Sequence, residues 1–444
     1  MISSAPIISV GLIENAKEIR GNFNGYFELP TTIKLQCSFR VKNENGQAVL
    51  FDSEGVEVFR SQDIYCRSLN NATFTLNDVT IGINFHWERK EKQTFEGDLR
   101  IRSNSDGTLS VLNKIEIEHY LQSVISSEMS AEAPFEMLKA HAITSRSWLV
   151  ATLERQKRFR NVNINAQHAL KTADEIIRWY DREDHAFFDV CADDHCQRYQ
   201  GITKVMSKSA KEAVEATRGI FLVIDNEVCD ARFSKACGGR TELFENCWEE
   251  TPISYLHSIS DSSVNYPPIL NEADAERWVT SSPDVYCNTT DGKILQHVLP
   301  SFDHETTDFF RWKIEYAREQ LEEILHTKSE IDFGMVMDIV PLKRGPSGRI
   351  VKLKIAGSKR TVIVGKELEI RRWLSKSHLY SSAFIVKIER DANRLPIKFV
   401  FHGAGWGHGV GLCQIGAAVM AMKGFTAEEI MKHYFKGAEL KKLY

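Results

Sequence analysis

One carboxylate stands where a helical pattern calls for an apolar residue, in the segment YLQSVISSEMSAEAPFEMLKAHAITSRSW. At the helical period, Leu121, Val124 and Ile125 form an apolar stripe, and the next position on that stripe is Glu128. We see no second carboxylate on it. Desolvation favours the protonated form of a carboxyl group, which is the form a general acid needs. Glu128 is therefore the candidate proton donor, although a glutamate at a helix end is also commonly solvated.

A second helix should follow directly, with Pro134 in its first turn, where a missing N–H is harmless. Arg146 flanks its apolar stripe. Because the two helices are joined by the short SAEA segment, they should pack together and bring Arg146 close to Glu128 or to an anionic substrate group. A surface arginine that snorkels fits the pattern as well. The buried stripe is predicted to contain Phe135, Leu138, Ala142, Leu149 and Leu153.

Four metal-binding residue types fall within twelve positions: His185, Cys191, His195 and Cys196. Thiolate and imidazole ligands suit zinc, and three of them would leave a fourth position open. The candidate ligands are His185, Cys191 and Cys196, with His195 facing the substrate. Reduced buried cysteines beside surface histidines are the alternative. Cys237 and Cys247 are candidates for substitute ligands or for a disulfide pair.

Two further segments carry polar and aromatic groups suited to a cleft. The strand ARFSKACGGRT and the following CW offer Ser234, Lys235, Thr241 and Trp248. The second segment, FHGAGWGHGVGLCQ, has five glycines in nine residues, which should let backbone approach a ligand closely. That segment presents Trp406, His408 and Gln414.

The bulk composition describes an ordinary globular chain. At 444 residues with a net charge of −4, it is long enough for two or three domains and has no basic excess for gripping nucleic acid. Nine cysteines, an odd number, leave at least one unpaired within the chain. We find no signal peptide at the N-terminus and no apolar run of transmembrane length.

The pattern of the chain predicts an α+β fold. Residues 1–112 alternate apolar with polar and should form a β-rich N-terminal domain. A mixed catalytic core should follow in 113–261 and resume in 341–444, where strand pairs precede the glycine-rich loop. Residues 262–340 look like an inserted helical segment in which we see no chemistry.

Five segments in this order resemble the SpoIID/LytB family of bacterial peptidoglycan proteins. They are EHYLQSVISSEMSAEAPFEMLKAHAITSRSW, CADDHCQRYQG, ARFSKACGGRTELFENCW, SGRIVKLKIAG with RRWL, and FHGAGWGHGVGLCQIGAAVMAMKG with IMKHYF. The likeness covers about residues 100 to 444, interrupted by 262–340. One departure is that the family's loop continues as MSQYGA, where this chain has LCQIGA.

The resemblance implies a lytic transglycosylase that cleaves peptide-free glycan strands, with Glu128 as catalyst and Arg146 in support. We add His195 as a further catalytic candidate. The candidates for binding the substrate are Tyr199, Ser234, Lys235, Thr241, Trp248, Trp406, His408 and Gln414. For some members it also implies zinc on residues that match His185, Cys191 and Cys196. The substrate places such a protein in the cell envelope.

Two other functions fit the same residues. Relatives called amidase enhancers are thought to modulate a hydrolase, so a non-catalytic protein that presents peptidoglycan to a cell-wall amidase is one alternative. A zinc-dependent glycan hydrolase with a metal-bound hydroxide is the other. A single acid suits transglycosylation, because the C6 hydroxyl of N-acetylmuramic acid serves as an internal nucleophile.

Overall fold

A computed structural model of the protein describes residues 4–83, 88–130, 132–160, 169–179, 185, 187–193, 195–204, 207–299, 304 and 306–444, without the side chains at 159 and 160. The chain divides into two compact units. The first comprises Met1–Arg146, Asp184–Phe221 and Lys441–Tyr444, and the second comprises Ser147–Glu183 and Leu222–Leu440. Strands and helices are both abundant, so the fold is α+β, as predicted.

Two sheets form most of the first unit, and their strands alternate buried with exposed residues. In Asp98–Ser103, for example, Leu99, Ile101 and Ser103 are buried and the residues between them are half-buried. This period of two is what the sequence pattern predicts for strands with one face on a core. In spatial order, one sheet contains Val190–Cys191, Ile7–Ala16, Leu109–Glu116, Asp98–Ser103, Asp63–Ser68, Phe27–Glu28 and Lys34–Leu35, and the other contains Arg89–Glu96, Thr73–Ile81, Glu18–Asn24, Ser38–Glu44, Gln47–Phe51 and Glu57–Ser61.

The helices of the first unit carry the candidate acid. Strand Leu109–Glu116 runs directly into helix Ile117–Glu128, and Phe135–Arg160 follows, with its residues up to Arg146 in this unit. Helix Lys208–Ala216 begins at Ser207, whose side chain accepts the Ala210 N–H at 3.2 Å. That cap satisfies one of the orphan donors of the first turn. A short 3₁₀ helix spans Gly201–Lys204.

The second unit also mixes strands with helices. Its sheets, in spatial order, are Ala169–Lys171, Glu175–Arg178, Thr361–Gly365, Ile350–Gly357 and Val336–Arg344, then Arg311–Ala317, Pro396–Ala404 and Phe384–Arg390, and the pair Phe233–Ser234 and Leu412–Cys413. Its helices are Glu272–Thr280, Gly292–Val298, Arg318–Ser329, Glu367–Trp373, Gln414–Met422 and Ala427–Tyr434, with a 3₁₀ turn at Phe244–Asn246. The strands Ile220–Ile224, Glu227–Val228 and Glu439–Lys442 complete the described elements.

The segment 262–340 contains a strand as well as the predicted helices. Strand Arg311–Ala317 pairs antiparallel with Pro396–Ala404, and Trp312 and Leu321 share a buried apolar cluster with Phe399. The alternation in RWKIEYA lies beside a strongly helical sequence, which hides it from pattern analysis. Among the described helices, none combines the length and apolar character that crossing a bilayer demands.

Candidate functional site

Glu128 is the last residue of its helix and is half-buried. Leu121, Val124 and Ile125 are fully buried, which confirms the predicted apolar stripe. Because the helix ends at Glu128, its carboxylate lies at the edge of that stripe instead of inside the core. One carboxylate oxygen accepts the backbone N–H of Arg198 at 2.9 Å, so that oxygen is oriented by the protein.

The segment that supplies this N–H is bonded to the same helix at other points. The Ser123 hydroxyl accepts the Gln200 N–H at 3.1 Å and donates to the Gly201 carbonyl at 2.8 Å. The Tyr120 hydroxyl donates to the Gln197 side chain at 3.3 Å. Since Tyr120, Ser123 and Glu128 lie along one side of the helix, these bonds fix the segment against it and hold the Glu128 carboxylate in place.

Tyr199 belongs to the core, contrary to the prediction that it binds substrate. Its ring stacks on Tyr120 with centroids 5.0 Å apart, and its hydroxyl donates to Asn113 Oδ1 at 2.6 Å. Burial raises the pKa of Tyr199 well above its usual value. With its one polar atom hydrogen-bonded inside the first unit, Tyr199 positions the segment beside Glu128.

Arg146 is fully buried and pairs with Glu118, not with Glu128. Its Nε donates to Glu118 Oε1 at 2.9 Å and its Nη2 to Oε2 at 2.7 Å, while Nη1 reaches the Ile220 carbonyl at 3.1 Å. The Tyr444 hydroxyl donates to Glu118 at 2.6 Å. These contacts leave Arg146 neither snorkelling nor directed at a substrate group; it holds the first unit together.

Glu118 is the residue that the sequence reasoning missed. It lies three positions before Leu121, so the stripe of Leu121, Ile125 and Glu128 also passes through it. The prediction that no second carboxylate accompanies Glu128 on this stripe is therefore wrong. Helical spacing alone could have found Glu118, since an acid and an arginine on facing apolar stripes indicate a buried ion pair.

The histidine and cysteine residues of the metal motif meet at one point. Cys196 Sγ lies 3.4 Å from His185 Nε2 and 3.4 Å from His195 Nδ1, and Cys191 Sγ lies 3.9 Å from His195 Nδ1. All four ligand atoms lie within 4.8 Å of one another. His195 therefore joins the cluster as a fourth donor, contrary to the prediction that it faces the substrate.

These four donors fit a tetrahedral zinc ion. Zn–S bonds of about 2.3 Å and Zn–N bonds of about 2.0–2.1 Å at tetrahedral angles place sulfur and nitrogen about 3.5 Å apart. The observed separations bracket that value. Hydrogen bonds with Cys196 and with His185 and His195 outweigh burial and lower the pKa of Cys191, which favours the thiolate, the form that binds metal.

The glycine-rich loop packs against the second unit's own arginines. Gly409 has φ +77°, and a Cβ there would lie 2.4 Å from the Arg349 guanidinium; Gly411 has φ +74°, and its Cβ would lie 2.1 Å from the Arg232 carbonyl oxygen. These glycines allow close approach, as predicted, but the partner that approaches is protein and not a ligand.

Trp406 belongs to a cluster that we call the Trp406 shelf: the half-buried Trp406, Tyr380 and Lys235 and the fully buried Phe309. Trp406 stacks on Tyr380 with centroids 4.0 Å apart and lies 4.8 Å from the Phe309 ring. The Lys235 ammonium lies 6.0 Å from the Trp406 ring centre. An aromatic face beside a cation is a suitable surface for a polar ligand with an apolar ring face.

His408 is a neutral acceptor. Its Nδ1 accepts the Val410 N–H at 3.0 Å, and its ring lies edge-on to Trp248 with centroids 4.9 Å apart. Removal from water and the nearby Arg232, Arg349 and Arg371 guanidinium groups lower the pKa of His408 well below its usual value. Trp248 itself is half-buried, with the Arg232 guanidinium 4.2 Å from its ring centre. His408 and Trp248 are therefore held in place by packing against each other and against their neighbours.

Three other residues predicted to bind substrate are buried. The Thr241 hydroxyl donates to the His257 carbonyl and accepts the Ile259 N–H, each at 2.9 Å. Ser234 lies in the strand that pairs with Leu412–Cys413, and Gln414 begins the helix after that strand. At 6% and 2% exposure respectively, Ser234 and Gln414 offer little surface to a polymer.

Comparison with known proteins finds a match for the part of the chain that contains Glu128. Residues 105–224, which contain Glu118, Glu128, Arg146 and the metal motif, match the family model described as Stage II sporulation protein. Residues 242–411 match a domain of unknown function (DUF8618).

Individual relatives extend the likeness over most of the chain. An uncharacterized protein of Brachyspira hyodysenteriae is 25% identical over 75% of this chain and 68% of its own length. Stage II sporulation protein D of Bacillus subtilis is 25% identical over 74% of this chain and 75% of its own. The amidase enhancer of the same species is 21% identical over 72% of this chain but 40% of its own length. These similarities support a cell-wall-related role.

Proposed function

We propose that the chain is a peptidoglycan lytic transglycosylase with Glu128 as its single general acid and base. The observation that carries the proposal is the Glu128 carboxylate, half-buried at a helix end and oriented by the Arg198 N–H at 2.9 Å. It lies in the stretch that matches the SpoIID model. When a backbone N–H holds one carboxylate oxygen in place, the other oxygen is preorganised to exchange a proton.

The reaction needs one such residue because the nucleophile belongs to the substrate. Glu128 would donate its proton to the glycosidic oxygen as the bond from C1 of N-acetylmuramic acid breaks, releasing the 4-hydroxyl of N-acetylglucosamine. The C6 hydroxyl of the N-acetylmuramic acid would then form a bond to its own C1, and its proton would return to the carboxylate. The product is a 1,6-anhydro end, no water is consumed, and Glu128 regains its starting state.

Glu118 does not supply a second catalytic carboxyl group. Both of its oxygens accept hydrogen bonds from Arg146, and its side chain is 1% exposed. A hydrolase that uses two carboxyl groups needs both of them at the scissile bond. The buried Glu118–Arg146 pair therefore agrees with a route that uses Glu128 alone, and it makes Arg146 a positioning residue.

In the second unit we propose the Trp406 shelf as a contact surface for glycan. Trp406 is half-buried and its ring stacks on Tyr380, which holds the indole rigid. Lys235, beside this ring, can donate hydrogen bonds. Pyranose rings have an apolar face that packs on aromatic rings and hydroxyl groups that accept from ammonium groups.

The metal motif fits a zinc ion with a structural role. His185, Cys191, His195 and Cys196 would hold it, and the ion would crosslink the segment that ends two residues before Arg198. These four protein donors complete a tetrahedron, whereas a catalytic zinc keeps one position open for water. This donor count disfavours the zinc-dependent hydrolase.

A non-catalytic protein that presents peptidoglycan to an amidase is the second candidate, favoured by the likeness to the amidase enhancer. Such a protein needs a binding surface, which the Trp406 shelf would also provide. It has no need of an oriented carboxylate at Glu128. The two functions therefore differ in what happens when that carboxylate is replaced.

The test is mass spectrometry of peptide-free glycan strands after incubation with the protein. We expect products that end in anhydro sugar, one water lighter than hydrolysis products. Glu128→Gln keeps the side-chain shape but cannot donate an acidic proton, so turnover should fall at least about 100-fold. Glu132→Gln, at an exposed position in the link between the helices, is the matched control and should keep wild-type turnover.

Two results would overturn the proposal. Undiminished cleavage by folded Glu128→Gln would remove Glu128 from the chemistry. Binding of glycan without any cleavage, unchanged by the same substitution, would favour the amidase-enhancing function.

A further inference from the structure

A second group of metal-binding residue types lies buried in the second unit. It consists of Cys237, Asp261, Cys287 and Cys413, and one ligand atom from each lies within 4.8 Å of all the others. The three thiols are 0–2% exposed and Asp261 is fully buried. The four residues come from four separate stretches of chain, and one of them, Cys287, belongs to the segment 262–340, where the sequence indicated no chemistry.

The sulfur spacing is that of ligands on one ion. Cys237 Sγ and Cys287 Sγ lie 3.8 Å apart, far beyond the disulfide bond length of about 2.05 Å. Two sulfurs on a tetrahedral zinc, each at about 2.3 Å, lie about 3.8 Å apart. Cys237 is therefore not paired with Cys247, whose Sγ lies 3.7 Å from the His408 carbonyl oxygen. All nine cysteines, every one in the described part of the chain, are free thiols.

The carboxylate of Asp261 is held in place by groups around it. Its Oδ2 accepts the Cys287 N–H at 2.8 Å, and its Oδ1 accepts the Tyr434 hydroxyl at 2.5 Å. Gly416 leaves the space: a Cβ there would lie 2.4 Å from Oδ1. On the sulfur side, Cys413 Sγ accepts the Cys237 N–H at 3.2 Å. Hydrogen bonds that orient the ligands in this way are typical of metal sites.

Two arginines, the buried Arg349 and the half-buried Arg311, brace the turn that carries Cys237. Arg349 donates to the Cys237 carbonyl at 3.0 Å, and Arg311 donates to the next carbonyl, that of Gly238, at 3.2 Å. In the form that binds metal, three thiolates and a carboxylate, the group needs a cation among its members to offset their repulsion in a medium of low dielectric constant. Two guanidinium groups that bind backbone cannot replace a cation at the centre of the cluster.

We propose that Cys237, Asp261, Cys287 and Cys413 bind a second, structural zinc ion. Thiolate donors select a soft ion, and the compact tetrahedral spacing suits one zinc better than a multi-iron cluster. The ion would tie the segment 262–340 to the turn at Cys237 and to the start of the helix after the glycine-rich loop. The segment would then be a crosslinked part of its unit.

Zinc content separates this site from the His–Cys cluster of the first unit. Protein purified under reducing conditions should contain two zinc ions per chain by inductively coupled plasma mass spectrometry. Cys287→Ser and Cys191→Ser should each contain one, and the double variant none. Cys229→Ser is the matched control, because Cys229 is a buried thiol of the second unit outside both clusters. It should keep two ions.

A second measurement guards against a Cys287→Ser variant that fails to fold. X-ray absorption on the Cys191→Ser protein, which retains the proposed site intact, should show zinc with three sulfur ligands near 2.3 Å and one oxygen. Folded wild-type protein with a single zinc that disappears in Cys191→Ser would overturn the proposal. So would a disulfide between Cys237 and Cys287 in protein that lacks the second ion.

Discussion

Replacing Glu118 by glutamine removes the charge opposite Arg146 and leaves that guanidinium buried. The pair is bidentate, with N–O distances of 2.9 and 2.7 Å, and its side chains are 0% and 1% exposed. Removing one partner of such a pair typically costs about 3–5 kcal/mol, because the remaining charge has neither water nor a counter-ion. We expect Glu118→Gln to destabilise the first unit by that amount.

Equilibrium unfolding in urea measures this loss. With a slope of about 2–3 kcal/mol per molar, the transition of the first unit should shift down by roughly 1–2 M. Glu116→Gln is the matched control, two residues away. Glu116 pairs with Arg218 at 2.7 Å, but both side chains are more than a third exposed, so its loss should cost less than about 1 kcal/mol.

Arg146→Lys distinguishes a positioning role from a catalytic one. Lysine keeps the charge but cannot form the two parallel hydrogen bonds, so stability should fall while glycan cleavage per folded molecule stays unchanged. The reasoning would be refuted by an Arg146→Lys protein that keeps wild-type stability and loses its activity, together with a Glu118→Gln protein of unchanged stability. Arg146 would then act on the substrate.

Two predictions concern groups away from the Glu128 carboxylate. Burial lowers the pKa of His141 to about 3, whereas the unfolded chain titrates near about 6.5, so stability should fall as pH drops from 6.5 towards 3. His141→Gln should reduce that slope by up to one proton in urea titrations, and an unchanged slope would contradict the assignment. Gly409→Ala should lower the thermal unfolding midpoint more than Gly424→Ala. Both glycines have positive φ, so alanine at either position adds about 1–2 kcal/mol of backbone strain. Only at Gly409 would the new Cβ also collide with a side chain, that of Arg349. Equal shifts would show that the Arg349 contact yields without cost.

Local patterns predicted most of the elements, because they report interactions within a few residues. The period of two in the N-terminal third predicted strands. The helix Lys208–Ala216 is also encoded locally, since the side chain of Ser207 caps its first turn. TAEE likewise begins the helix Ala427–Tyr434 with a capping box. The strand Arg311–Ala317 was missed because its hydrogen-bonding partner lies more than 80 residues further along the chain.

The candidate site residues also divide into those that local motifs predicted and those whose environment depends on distant parts of the chain. Sequence motifs predicted roles for Glu128, for Trp406 and for the histidine and cysteine residues of the first cluster, and the structure brings those four histidine and cysteine residues together. They did not reveal that Tyr199, Thr241 and Gln414 are buried, because polar residues in a glycine-rich or cysteine-rich context look like cleft residues until their hydrogen-bond partners are known. The assignment of Arg146 failed for a similar reason, since its partner could be chosen only when both helices were placed.

By itself, the sequence determined the α+β class, the helix that ends at Glu128 and the clustering of metal-binding residue types between His185 and Cys196. These depend on periodicity and on neighbours along the chain. Only the tertiary structure decided that Arg146 pairs with Glu118, that His195 joins the first cluster, and that Cys237 meets Cys413, 176 residues away. A buried charge or thiol takes its partner from whatever packs against it, and packing joins residues whose distance along the chain carries no information about their contact.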